Sequence, residues 1–168
     1  MSVFDELLAI KRFREGQAEI AVSRQRLRHA EADAARRGTE AALASYRDEA
    51  ERREQAMYSD LCSRVVRVRE IESVLQGVAG LREGERQREQ ALDAAVEQLE
   101  QESQALAASR QQHQHAVRLT GKFVELARIH LDEHLKSLEQ KEDLEMEEAA
   151  SISRDREDWE QHEEFEPA

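Results

Sequence analysis

Two histidines offer the first hint of chemistry. His130 and His134 stand four residues apart with Asp132 and Glu133 between them, and on a helix that spacing lets two imidazoles share one divalent metal. The order His-Leu-Asp-Glu-His differs from the zinc hydrolase pattern, because no Glu directly follows the first His to act as general base. His134 also shares a heptad phase with His113, which points to seam or half-solvated histidines that set register. Thr120-Gly121-Lys122-Phe123 holds a fragment of a phosphate loop, without the earlier Gly, the Ser or Thr after Lys, or a preceding strand. Cys62 is the sole cysteine. It allows no internal disulfide, fits a reducing compartment and, with no nearby His, reads as a small apolar side chain near a seam. Arg24, Arg26, Arg28, Arg36 and Arg37 alternate with Glu31, Asp33 and Ala rather than aromatics, the pattern of a solvated helix face and not of a nucleic-acid site. Catalysis needs groups that converge in a shielded pocket. No catalytic, cofactor-binding or metal-ligating residue is assigned, and the chain reads as a non-enzyme.

The elements that must carry these residues are helices. Of 168 residues, 37% are charged and 4% aromatic, and Pro occurs once, at Pro167. A rounded core of this size requires many large side chains, whereas a two-helix seam requires only about two apolar positions per heptad. Strand-like alternation is absent, so helix is expected from about Val3 to about Ser153. Residues 92–138 hold one heptad phase: Leu92, Val96, Leu99, Ser103, Leu106, Arg110, His113, Val117, Thr120, Val124, Ala127, Leu131, His134 and Leu138. That phase extends over about 70 Å of helix and needs a partner helix. Val3, Phe4, Leu7, Ile10, Phe13, Ile20 and Leu27 recur at helical spacing near the start, while Arg28–Ala56 has Leu43 and Tyr46 as its only large apolar residues, with Ala as the rest of its candidate core, and should pack closely but weakly.

Charge is uneven along the chain. Residues 1–131 carry 22 acids and 21 bases, whereas residues 132–168 carry 15 acids and four bases, net −11. Such a stretch repels nucleic acid and anionic membrane and attracts a basic protein surface. Trp159 and Phe165 stand within it as candidate anchors for a partner groove. No apolar run approaches the roughly 20 residues that span a bilayer, and Met1–Ile10 lacks a basic start before an apolar run. No membrane insertion is expected, and the cytoplasm is the expected compartment.

Apolar density peaks between Met57 and Leu81, which suits a hairpin tip or a docking patch. Two positions compete for the bend. Gly77, Gly80 and Gly84 each cost about 1 kcal/mol inside a helix relative to Ala, which favours a bend near 80. Ser59, Asp60 or Ser63 could instead cap a new helix near 63. A bend near 80 sets residue i beside about 160 − i and lays Lys11–Arg37 against the acidic stretch; a bend near 63 sets i beside about 126 − i.

Gly121-Lys122-Phe123-Val124-Glu125-Leu126-Ala127-Arg128, followed by Asp132-Glu133 and the acid-rich Glu139–Glu148, resembles the C-terminal portion of the YscO family of type III secretion proteins, relatives of the flagellar export protein FliJ. Leu7-Leu8-Ala9-Ile10-Lys11-Arg12-Phe13-Arg14 is similar to that family's start, and Ile71–Glu85 to its post-turn helix. The resemblance implies an antiparallel two-helix hairpin like a rotary ATPase stalk. It also implies binding to the hexameric secretion ATPase near both termini, binding to the export gate protein around the tip, and a link to export chaperones. On the ATPase side it puts Phe4, Leu7, Leu8, Phe123, Leu126 and Leu138; on the gate side Met57, Tyr58, Leu61, Val65 and Val66.

The expected architecture is thus all-α: one long antiparallel coiled-coil hairpin over residues 1–168. Helix 1 covers about 3–60, the turn about 59–67, helix 2 about 66–153, and an acidic tail 154–168. The expected role is a non-enzymatic stalk or coupling component of a type III secretion export apparatus, peripheral to the inner membrane and monomeric at 19.3 kDa. The alternative is a homodimeric coiled-coil tether whose seam pairs with its own copy.

Overall fold

The computed structural model describes residues 2–163, and these form two helices, α1 (Val3–Ser63) and α2 (Val68–Glu163), with no strand among them. Phe165 and the rest of residues 164–168 lie outside the described residues. Ser2 and Asp5 start α1 as a capping box. The Asp5 amide donates to Ser2 Oγ at 3.3 Å, and Asp5 Oδ2 accepts from the Ser2 amide at 3.1 Å and its hydroxyl at 2.9 Å. Those bonds hold the Asp5 carboxyl below its ordinary range.

The bend falls at Arg64–Arg67. Ser63 does not cap the second helix; its hydroxyl donates back to the Asp60 carbonyl at 2.9 Å, inside the last turn of α1. Arg67 takes the capping position instead. Its carbonyl accepts from the Glu70 amide at 3.0 Å, and its own amide donates to Glu70 Oε2 at 2.8 Å, the reciprocal half of a capping box. The three glycines do not mark the bend: Gly77, Gly80 and Gly84 all lie within α2, and no described glycine has a positive φ. Nor does α2 stop at Ser153. It continues through residues 154–163, part of the expected tail, because no Gly or Pro interrupts that run.

The chain forms two compact units, Gly16–His115 and Met1–Glu15 with Ala116–Ala168. In the first, α1 and α2 pair antiparallel. Gln25 donates to Glu102, the Tyr46 hydroxyl to the Leu81 carbonyl at 3.0 Å, and Arg82 pairs with Glu54 at 3.3 Å. Val22, Gln25, Ala32, Leu43 and Ala50 are the buried residues of α1, and Leu106 is buried on α2. Among the described residues no side chain is fully buried, so small increments along the seam hold it together rather than a core. Arg47 spans the seam's flank to Glu85 at 2.8 Å and Glu89 at 2.7 Å, and these partners, Glu85 first, raise its pKa. In the second unit the Thr120 hydroxyl donates to the Ala116 carbonyl at 2.9 Å and approaches that of Lys11 at 3.4 Å, while the Lys11 ammonium lies 5.2 Å from the Phe123 ring centre.

The heptad phase read from the sequence is half right. Leu92, Leu99, Leu106, His113, Thr120 and Ala127 do turn inward. Their partners on α2 are Ala95, Glu102, Ser109, Ala116 and Phe123 rather than Val96, Ser103, Arg110, Val117 and Val124, all of which are exposed. The 3-4 and 4-3 spacings describe nearly the same face. Small and polar residues on α1, Gln25 and Ala32 among them, select the one that meets them.

Tyr46 makes one glycine indispensable. A Cβ built on Gly84 would stand 2.7 Å from the Tyr46 ring Cζ, while Arg88 closes over the ring at 3.8 Å from its centre. Gly80 faces open space. Gly84→Ala is therefore expected to destabilise by about 1–3 kcal/mol through overpacking. Gly80→Ala should stabilise by about 0.5–1 kcal/mol. Melting followed by circular dichroism checks both; upward shifts for the two alike would contradict the Tyr46 notch.

Candidate partner-binding surfaces

The bend builds one surface. Arg64 ties its two sides, with one guanidinium nitrogen 3.2 Å from Asp60 Oδ2 and another 3.1 Å from Glu70 Oε1. Bonds to Asp60 and then Glu70 raise the Arg64 pKa; the Arg67 amide, followed by Arg64, holds the Glu70 carboxyl below its ordinary range. With the backbone pinned this way, Val65 is 100% exposed and Val68 71%, and Tyr58, Ile71 and Leu75 on the flanking helix ends are exposed as well. Of the five residues assigned to the gate side, Tyr58 and Val65 face solvent. Met57, Leu61 and Val66 are half-buried, Met57 packing at 3.4 Å from where a Gly77 Cβ would stand. Val68, Ile71 and Leu75 complete the exposed patch; the sequence marked the apolar run without telling which of its sides would be covered.

A second surface runs along α2 in the other unit. Phe4 stacks on His130 with ring centres 5.0 Å apart, Leu7, Leu8 and Phe123 are half-buried, and these four serve chiefly to hold α1 on α2. Leu126 and Leu138 face solvent. From Arg128 onward every described residue is exposed, including Ile129, Leu131, Leu135, Leu144, Met146, Ile152 and Trp159. The stretch 132–163 carries 13 acids and four bases. An acidic helix with unpartnered apolar side chains results, which is the chemistry of a protein-docking arm.

The residues first singled out for chemistry do other work or none. His130 packs on Phe4, and no group of three or more His, Cys, Asp or Glu among the described residues is placed to hold a metal ion. His130 and His134 line an open groove of about 600 Å³ with Ser2, Asp5 and Leu131. Thr120 is buried on the seam, so its hydroxyl is committed to backbone carbonyls. Cys62 is exposed, contrary to a place near the seam, because Leu61 takes the inward position. Arg36 pairs with Asp33 and Glu40, and Arg37 with Asp33, as a solvated helix face would. No helix is long and apolar enough to cross a membrane among the described residues.

Residues 4–152 match the family model described as Type III secretion protein YscO. The chain belongs to the YscO family of type III secretion proteins. Its fold also matches the 2.8 Å crystal structure of type III secretion protein YscO from Vibrio parahaemolyticus, with a TM-score of 0.81 and 30% identity, covering 86% of this chain and 91% of that one. No curated protein matches. The family resemblance read from the segments at 7–14, 71–85 and 121–148 therefore holds, and so does the all-helical hairpin it implied.

The Glu70 cap has a testable pH dependence. Because the folded state lowers the Glu70 pKa, its contribution is present above the ordinary glutamate range and is lost as pH falls through the lowered value. Glu70→Ala should thus fray the first turn of α2 at neutral pH, seen in the Cα chemical shifts of Val68–Val74. The difference from the native chain should shrink in acid; a difference unchanged there would contradict the cap.

Proposed function

We propose that this YscO-family chain is a non-enzymatic stalk or coupling component of a type III secretion export apparatus, working at the cytoplasmic face of the inner membrane. The observation that carries this reading is the acidic arm of α2. Beyond Arg128 it is helical, wholly exposed and studded with apolar side chains, and isolated helices keep such a face only when a partner covers it. Its partner is basic and apolar, and the family resemblance makes that partner the secretion ATPase, with Leu126 and Leu138 at the contact and Phe4, Leu7, Leu8 and Phe123 bracing the arm's root. The patch at Tyr58, Val65 and Val68 is offered to the export gate protein, with Met57, Leu61 and Val66 supporting it. Export chaperones fall within the same reading. A homodimeric tether is less well supported, because the seam of α2 is already covered by α1 of its own chain at Gln25–Glu102 and Lys11–Thr120.

The test uses the purified chain and its cognate ATPase. The chain should bind and raise ATP turnover, and Leu138→Asp with Leu135→Asp should weaken binding about tenfold or more while helicity stays unchanged. Val65→Asp should weaken binding to the gate protein and leave the ATPase unaffected. An ATPase neither bound nor stimulated would overturn the reading.

A further inference from the structure

The unit formed by Met1–Glu15 with Ala116–Ala168 carries two exposed patches of opposite sign. Near the start of α1, Phe13 is 67% exposed between Arg12 and Arg14, which are also exposed and make no ion pair among the described residues. On α2, Leu144 is 59% and Met146 72% exposed within Glu142-Asp143-Leu144-Glu145-Met146-Glu147-Glu148, a run of five acids without a base. Each patch is an apolar side chain ringed by one charge, and each supplies what the other lacks.

The two cannot meet within one chain. Thr120 lies against the Lys11 carbonyl, which fixes the level of the basic patch on α2. Leu144 follows about 36 Å further along the same helix at 1.5 Å per residue. No Pro, and no Gly after Gly121, occurs between them, and α2 is unbroken to Glu163, so the arm does not turn back. Two acidic arms would also repel each other, which disfavours arm-to-arm pairing.

We infer that a second copy of this chain docks here, the face of the acidic arm that carries Leu144 in each copy lying on the Arg12-Phe13-Arg14 patch of the other. Because every copy holds both patches at a fixed spacing, a two-fold axis makes the contact twice and closes the assembly at a dimer. The hairpin itself needs no second chain. The contact uses the same acidic arm that the proposed function offers to the ATPase.

Sedimentation equilibrium of the full chain, from micromolar to near-millimolar concentration, tests this. At low salt the mass should rise from 19.3 kDa towards twice that value, and added salt should reverse the rise. The paired substitutions Arg12→Glu with Arg14→Glu, and separately Glu145→Lys with Glu147→Lys, should each weaken pairing about tenfold or more. Mixing the two variants should restore it, since both contacts then join opposite charges. Circular dichroism keeps the result interpretable, because all four positions are exposed and helicity should not change. A chain monomeric throughout at low salt, a dimer unmoved by either reversal, or a mixture that fails to recover would each overturn the proposal.

Discussion

A fold of two helices has one interface, and everything else in this protein follows from how α1 covers α2 along it. The cover is thin. Among its covered positions are Ala18, Ala32 and Ala50 on α1 and Ala95, Ser109 and Ala116 on α2, and small side chains remove little area from water. Specific polar bridges set the register: Gln25 to Glu102, Arg47 to Glu85 and Glu89, and Tyr46 to the Leu81 carbonyl. A slip of one heptad would break each of these and drive Tyr46 away from Gly84, so the seam is specified by chemistry that contributes modestly to its strength.

The same constraint creates the surfaces. Where α1 begins, the cover ends, and α2 continues as an acidic helix whose leucines have nothing opposite. Where α1 stops at Ser63, the tight Arg64–Arg67 connection is held by Arg64 and Glu70, and valines that cannot all turn inward face water. The arm has apolar side chains among acids, and the bend has exposed apolar side chains beside the paired charges of Asp60, Arg64 and Glu70; both mixtures suit recognition of another protein, in keeping with membership of a secretion family.

Helix type was legible because the sequence contains neither alternation nor interior Pro. The seam was half legible. Leu92, Leu99 and Leu106 announced it, but hydropathy preferred Val96 and Val117 to their neighbours Ala95 and Ala116, and only the residues across the gap decide which of two adjacent positions turns inward. Glycine offered a rival bend at 77–84 through its helical penalty of about 1 kcal/mol, against the expected turn at 59–67, whereas Gly84 admits Tyr46. The capping role of Arg67 had no signal, since its side chain plays no part in it. As for the surfaces, Leu138 and Phe123 look alike in sequence. Whether each is free depends on where α1 starts on α2, which is a property of the register and not of local residues.

The most direct test of that register is a spin-label distance between positions 28 and 104, both exposed and both in the Gly16–His115 unit, with Cys62 replaced by Ser. Helices packed with axes about 10 Å apart should give a separation on the order of 20 Å that survives dilution with unlabelled chain. A separation of about 40 Å or more, or a signal that dilution removes, would show that α2 is covered by something other than α1 of its own molecule.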